Sequence, residues 1–85
     1  MKYSFYSDPG HGWVKVNRVE LDKLGILNKI TSYSYQRNDN VYLEEDCDLS
    51  TFLNAKKELN QKVEFKEFVC RSKQSKIRSY RNFVA

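Results

Sequence analysis

The chain has few of the residues from which metal and catalytic sites are usually built. Its 85 residues include one histidine, two cysteines, one proline and three glycines. Neither a C-x2-C nor an H-x3-H spacing occurs, so the usual zinc-binding patterns are excluded. A cysteine–histidine nucleophilic pair would have only His11 to serve it. We therefore predict no catalytic residue, no metal and no cofactor.

Long apolar stretches are also missing from the sequence. The longest falls far short of a membrane span, and residues 1–6 lack the apolar core of a signal peptide. We therefore expect a cytoplasmic protein without a membrane partner. In that compartment Cys47 and Cys70 are predicted to be reduced thiols that fill small buried spaces.

Length and composition indicate one soluble globular domain over residues 1–85. Hydrophobic residues make up 40% of the chain and charged residues 31%, which is typical of that class. Aromatic residues make up 14% and supply large apolar area for so small a core. No repeat, low-complexity tract or linker divides the chain.

The positive charge is concentrated at the C-terminus. Residues 71–85, here called the basic tail, hold five basic residues and no acid, whereas the first seventy hold ten basic and eleven acidic residues. This segregation favours a polyanionic or acidic partner. The tail is either an ordered closing segment of the core or a mobile arm that holds phosphates and bases. Its predicted binding residues are Arg71, Lys73, Lys76, Arg78, Tyr80 and Arg81.

Alternating apolar residues separated by turn-forming residues predict two hairpins and a C-terminal strand. The strands are expected over residues 2–6, 13–16, 32–37, 41–43 and 62–70. In the last strand the alternation slips between Phe65 and Phe68, which indicates a bulge or a bend.

Helix signals interrupt the strand pattern twice. Asn17 is predicted to cap a short helix that Gly25 ends in the left-handed conformation. Asp48 is predicted to cap a second helix over residues 49–60, with Lys56 on its polar side. The predicted fold class is α+β, with a small antiparallel sheet of about five strands packed against two helices.

Two further segments are candidate contact sites. Residues 7–12 are rich in turn-forming residues and are predicted to form a loop. His11 in this loop and Trp13 directly after it are predicted to contact a partner. Residues 44–48 hold four acids that would form an exposed acidic patch for a basic protein surface. As an alternative, Asp46 and Asp48 would hold a divalent cation in a small metal-dependent enzyme. The patch residues are Glu44, Glu45, Asp46 and Asp48.

Four segments carry a resemblance that covers nearly the whole chain. They are Gly10-His11-Gly12-Trp13-x-x-Val16, Leu24-Gly25-Ile26-x-x-x-Ile30-x-x-Tyr33-Ser34-Tyr35, Tyr42-Leu43-Glu44-Glu45-Asp46-Cys47-Asp48 and Ser75-x-Ile77-Arg78-Ser79-Tyr80. Together they resemble a family of small uncharacterised phage and prophage proteins. The resemblance implies a viral accessory protein in the cytoplasm of the host cell. Such proteins often act by binding host enzymes or host defence systems, as anti-CRISPR proteins do.

A local resemblance covers about thirty residues. Val14-Lys15-Val16-Asn17-x-x-x-Leu21-x-x-Leu24-Gly25-Ile26 is similar to the strand–helix start of AbrB/MazE-type swapped-hairpin DNA-binding proteins. The hairpin from Ser34 to Leu43 keeps the same order. This second resemblance implies DNA binding by a swapped dimer.

Three functional hypotheses follow. The first is a non-enzymatic accessory protein that binds a host protein or nucleoprotein complex, and so inhibits a host-defence nuclease or CRISPR complex. The second is nucleic-acid binding by the basic tail. The third is the metal-dependent enzyme. A second copy of the chain is a further candidate partner.

Overall fold

A six-stranded sheet forms the frame of the protein. The computed structural model describes residues 2–70 and 75–85. The spatial strand order is β5-β1-β2-β4-β3-β6, which with two helices confirms the α+β class. Neither helix of the described residues has the length and apolarity that a membrane crossing requires. The elements are β1 (Lys2–Ser7), β2 (Gly12–Asn17), α1 (Arg18–Lys23), β3 (Tyr35–Arg37), β4 (Asn40–Glu44), α2 (Leu49–Glu58), β5 (Glu64–Val69) and β6 (Arg81–Asn82), with 3-10 turns at Leu27–Lys29 and Lys76–Ser79.

The sheet is mixed, whereas the sequence predicted an antiparallel one. Both hairpins form as predicted, because β1 pairs antiparallel with β2 and β3 with β4. Strand β5 instead pairs parallel with β1. The reason is topological: α2 carries the chain from β4 across the sheet to its far edge, and such a crossover returns the next strand in the same direction.

Helix α1 begins and ends as predicted. The Asn17 side chain accepts a hydrogen bond from the Val19 N–H at 2.8 Å, which satisfies one of the unpaired amides of the first turn. Gly25 follows the helix at a φ of 71°, the left-handed conformation that favours glycine.

Helix α2 begins directly after Asp48, as predicted, but the Asp48 side chain makes no capping hydrogen bond. Its carboxylate instead accepts hydrogen bonds from Thr31 and from the Ser34 hydroxyl, and Asp48 is buried. Lys56 is also buried, where it pairs with Glu20. The prediction that Lys56 lies on the polar side is therefore wrong. Lys56 follows Phe52 by one turn and lies on the same inward face, where its aliphatic stem packs while its ammonium group reaches Glu20.

The two faces of the sheet are covered by different elements. One face packs against α1 and α2 through an aliphatic core. The opposite face lies under the C-terminal segment. On this opposite face Trp13, Tyr42 and Ile77 form a second buried cluster, with Tyr6, Tyr35 and Tyr80 packed against it. The helix-face core comprises Val14, Val16, Leu21, Ile26, Ile30, Val41, Leu43, Phe52 and Phe83.

The described part of the basic tail is ordered and closes both clusters. Ile77 is 2% exposed and belongs to the aromatic cluster, whereas Phe83 is 4% exposed and belongs to the aliphatic core. Of the two alternatives left open for the tail, these positions support the closing segment. Strand β6 adds an edge to the sheet beside β3.

The predicted bulge in the last strand is absent from the β1–β5 ladder, whose register is continuous. Phe65 packs edge-on to Phe5, and Phe68 stacks on Tyr6. These partners lie on opposite faces of the sheet, so the slip in alternation reflects an edge strand that presents one aromatic ring to each face.

Candidate functional site

A pocket of about 310 Å³ opens on the sheet face opposite the helices. It brings together residues from the β1–β2 loop, β2, the β3–β4 hairpin, the turn after β4 and the basic tail. The pocket residues are His11, Trp13, Tyr33, Tyr35, Glu44, Asp46, Cys47 and Arg78. All eight residues fall within residues 10–16, 24–35, 42–48 and 75–80.

Glu44 is the buried carboxylate of the pocket. It is the last residue of β4, and strand alternation turns its side chain away from the helices. One carboxylate oxygen accepts hydrogen bonds from the N–H groups of Asp46 and Cys47 at 2.8 and 3.1 Å. The other lies 3.3 Å from His11 Nδ1. These contacts fix the carboxylate in one orientation.

Asp8 organises the loop that carries His11. Its carboxylate accepts hydrogen bonds from the N–H groups of Gly10 at 2.9 Å, His11 at 3.0 Å and Ser75 at 2.9 Å. It also pairs with two nitrogens of Arg78, at 2.6 and 2.9 Å. The guanidinium contact holds the pKa of Asp8 well below its usual range, with the N–H donors adding to the effect. The pair joins the loop to the basic tail.

Trp13, Tyr33 and Tyr35 form one side of the pocket, here called the aromatic wall, and Trp13 is its buried member. Only 1% of it is exposed, and its indole N–H has no hydrogen-bond partner among the described residues. The Arg78 guanidinium lies 5.4 Å from the ring centre, a cation–π contact. Tyr35 packs edge-on at 6.2 Å, and the His11 ring lies at 6.1 Å. Trp13 therefore lies buried in β2 and reaches the pocket from the sheet rather than from the loop.

Among the residues that the structure describes, those lining the pocket carry an excess of negative charge. Arg78 is the one Lys or Arg among them, and its charge is already matched by Asp8 outside the lining. Glu44 and Asp46 keep their carboxylates toward the same pocket. Tyr33, which is 69% exposed, extends the aromatic wall to the rim. Carboxylates beside aromatic rings suit a positively charged group.

A divalent cation is the other chemistry that the residues allow. Ligand atoms of His11, Glu44 and Asp46 lie within 4.8 Å of one another, and this residue set is compatible with zinc or manganese. The metal pair expected from the sequence is wrong, because Asp48 is committed to Thr31 and Ser34.

Cys47 lines the pocket as a thiol rather than a thiolate. Partial loss of solvent and the neighbouring Glu44 carboxylate raise the pKa of this thiol, and both favour the protonated form. Cys47 is exposed and Cys70 is partly exposed, so the prediction that both fill buried spaces is wrong.

The predicted acidic patch is smaller than expected. Glu44 and Asp48 are buried in hydrogen-bond networks, whereas Glu45 and Asp46 are exposed. Glu44 ends β4 and Asp48 immediately precedes α2, and both side chains point inward at these positions. Consecutive acids in the sequence therefore do not form a continuous acidic surface.

The residues of the basic tail are dispersed. Lys76 and Arg81 are exposed, and Arg78 is paired with Asp8. Tyr80 is half-buried, 5.1 Å from the Tyr42 ring, with the Arg37 guanidinium over its own ring. Arg71 and Lys73 lie outside the described residues.

Sequence reasoning did not identify the Asp8–Arg78 pair or the roles of Tyr33 and Tyr35 in the pocket. Asp8 and Arg78 are far apart in the chain, so no local pattern joins them. The available signal was the aromatic and charged content of the four resembling segments, which the fold places around one cavity.

Comparison with known proteins adds no relative, because no protein-family model, curated protein or solved structure matches the chain. The geometry of the pocket and the chemistry of its residues are therefore the features that indicate a function.

Proposed function

We propose that this chain is a non-enzymatic accessory protein that binds a protein partner and receives a basic side chain of that partner in the pocket. The observation that carries the proposal is the combination of an aromatic wall with two carboxylates whose charge Arg78 does not neutralise. A lysine or arginine side chain would complete both the charge and the stacking requirements of such a site.

The carboxylates are arranged in advance for a cation. Glu44 is held by two backbone N–H groups and faces His11, so little side-chain entropy is lost when a ligand binds. Its low exposure weakens solvent screening and strengthens the attraction to an incoming charge. Asp46 is exposed at the rim of the pocket, and its carboxylate would pair with the same basic side chain of the partner.

The aromatic wall already accommodates one cation. Arg78 lies over the Trp13 ring while it remains paired with Asp8. A basic side chain of a partner would contact the rings of Tyr33 and Tyr35, which line the same pocket. Tyrosine and tryptophan are also the residues most often found at the centre of protein interfaces.

The resemblance to phage and prophage proteins supports a host protein, or a nucleoprotein complex such as a defence nuclease, as the partner. The nucleic-acid alternative has less support, because Arg78 and Tyr80 are used inside the fold. Lys76 and Arg81 are the exposed basic residues of the described tail that would remain for it.

Short peptides test the proposal directly. We expect a peptide with a central lysine or arginine to bind the purified protein in a calorimetric titration, and its acetyl-lysine counterpart to bind weakly. Asp46→Asn should weaken binding about fivefold, the effect of one partly exposed charge pair. Glu44→Gln should weaken it about tenfold or more. Glu58→Gln, a change at an exposed α2 carboxylate outside the pocket lining, is the matched control and should have no effect.

Three outcomes would contradict the proposal. Equal binding of the lysine and acetyl-lysine peptides would remove the charge argument. Binding that needs a divalent cation and disappears with a chelator would assign the pocket to the metal. Retardation of DNA that is unaffected by Asp46→Asn and lost in the variant Lys76→Ala/Arg81→Ala, which changes only exposed residues of the tail, would favour the nucleic-acid hypothesis.

A further inference from the structure

Strand β5 forms one end of the sheet and contributes no residue to the pocket. We propose that two copies of this chain pair through β5, antiparallel and centred on Phe65, to form one continuous sheet. The inference is independent of the basic ligand proposed for the pocket.

The backbone of β5 presents free hydrogen-bonding groups outward. The Cys70 N–H donates to the Ser7 carbonyl at 2.8 Å. In a parallel pair the backbone groups of alternate residues point to the same neighbour, so the N–H and C=O groups of the even-numbered residues of β5 point toward β1. The N–H and C=O groups of Phe65, Glu67 and Val69 therefore point away from the sheet. Within residues 2–70 and 75–85, no strand pairs with this edge. Such an edge is a template for another strand.

Apolar side chains accompany these backbone groups. Phe65 is 37% exposed, Phe68 is 42% exposed and Val69 is 57% exposed. Phe65 and Val69 lie on the helix face, whereas Phe68 lies on the opposite face. A second copy centred on Phe65 would bring the two Phe65 side chains together and would place residues 61–63 opposite Glu67, Phe68 and Val69.

Charge selects a second copy in one register. In an antiparallel pair, two residues that lie opposite each other have their side chains on the same face of the sheet. When a two-fold axis perpendicular to the sheet relates the two copies of β5, this requires the axis to pass between a residue and the same residue of the other copy. A centre at Phe65 places Glu64 opposite Lys66 of the other copy, twice, and stacks the two Phe65 rings. Centres at Glu64, Lys66 or Glu67 each oppose identical charges, a centre at Phe68 gives no charge pair, and a centre at Val69 leaves Val69 as the one β5 residue that lies opposite β5 of the other copy. The Phe65 register therefore satisfies the charged residues that would otherwise block pairing at an exposed edge.

Charge reversal tests the register. The wild-type protein should show a concentration-dependent mass that rises toward the dimer in analytical ultracentrifugation. Lys66→Glu and Glu64→Lys should each weaken the dimer about 10- to 30-fold, because each replaces two attractive cross-strand pairs with two repulsive ones. The double variant should restore most of the wild-type affinity.

Two controls keep the test decisive. Glu64 lies opposite Lys2 in its own chain, so the fold of each variant is checked by circular dichroism at dilute concentration. Asp46→Asn should leave the mass unchanged, which separates this surface from the pocket. A wild-type chain that stays monomeric at its solubility limit would overturn the proposal. A dimer whose charge-reversed double variant remains as weak as the single variants would overturn it as well.

Discussion

The two faces of the sheet are stabilised in different ways. The helix face is filled by aliphatic side chains and Phe52, and its stability depends mainly on shape and burial. The opposite face combines the aromatic cluster around Trp13 with the Asp8–Arg78 ion pair and the carboxylates of the pocket. The first face is changed mainly by creating or filling space, with the Lys56–Glu20 pair as its charged contact, whereas the second face responds mainly to charge and pH.

This difference indicates where function lies. A close-packed aliphatic layer offers a partner no chemistry and is expected to be structural. The opposite face carries fixed carboxylates, aromatic rings and an indole N–H without a partner among the described residues. The carboxylates and the rings attract a cationic side chain, whereas the indole N–H is a donor that only an acceptor, such as a backbone carbonyl, would satisfy.

The largest effect is expected in the aliphatic layer. Phe52 is fully buried and packs edge-on against Tyr3 at 5.1 Å. Phe52→Ala should lower the free energy of unfolding by about 3–5 kcal/mol, because it leaves a cavity. Leu59→Ala, at a position that is 55% exposed, should change it by less than about 0.5 kcal/mol. Urea denaturation measures both, and comparable losses would contradict this account of the core.

A second comparison uses two adjacent lysines. Lys56 is 2% exposed and paired with Glu20, whereas Lys57 is exposed. Loss of solvent alone would lower the pKa of Lys56, but its contacts with Glu20 and Tyr3 raise it overall, so the ammonium group stays charged.

Lys56→Ala should therefore cost about 3 kcal/mol, because it leaves a partly buried carboxylate without its partner. Lys57→Ala should be nearly neutral in the same urea titration. If both lysines prove equally tolerant, Lys56 does not act as a core residue.

The ion pair on the opposite face gives a smaller effect that depends on pH. Arg78 holds the pKa of Asp8 below its ordinary value of about 4, so the folded protein binds this proton less readily than the unfolded chain does. The stabilisation is present above that ordinary pKa and is lost as the pH falls below it.

Asp8→Asn should cost about 2–3 kcal/mol at neutral pH and flatten the acid limb of the stability curve. Asp39→Asn, at an exposed turn position, should leave that limb unchanged. A wild-type acid limb that persists in Asp8→Asn would assign the pH dependence to other carboxylates.

The smallest effect concerns the turn after α1. Gly25 has a φ of 71°, and a side chain there would meet nothing within 4 Å. Gly25→Ala should cost about 1 kcal/mol from backbone strain alone, and Gly25→Asn less, because asparagine tolerates this conformation better. Equal thermal midpoints for alanine, asparagine and glycine at this position would remove the strain argument.

Local patterns predicted the local elements. The hairpins, the Asn17 cap and the Gly25 termination follow from alternation and turn chemistry within a few residues. The parallel placement of β5 could not be predicted this way, because it depends on where the crossover through α2 ends. The sequence also does not reveal which of several adjacent acids is buried, because that depends on where β4 ends. Glu44 is buried because it is the last residue of that strand.

The candidate site was predictable only in part. His11, Trp13, Glu44, Asp46 and Arg78 were each singled out, but as separate surfaces. The pocket arises because the tail folds back over the sheet and Asp8 fixes Arg78 beside the loop. That pairing is a property of the tertiary structure, so no spacing in the sequence encodes it.

The single tryptophan provides the most direct test of the binding site. Trp13 lines the pocket, and its indole N–H gives one resolved signal in a nitrogen–proton spectrum. Titration with arginine amide should shift this signal and the amides of Asp46 and Cys47 along one saturable curve, and Glu44→Gln should move the midpoint of that curve to a concentration about tenfold or more higher. An indole signal that stays fixed while amides elsewhere on the surface move would contradict the assignment of this pocket as the contact site.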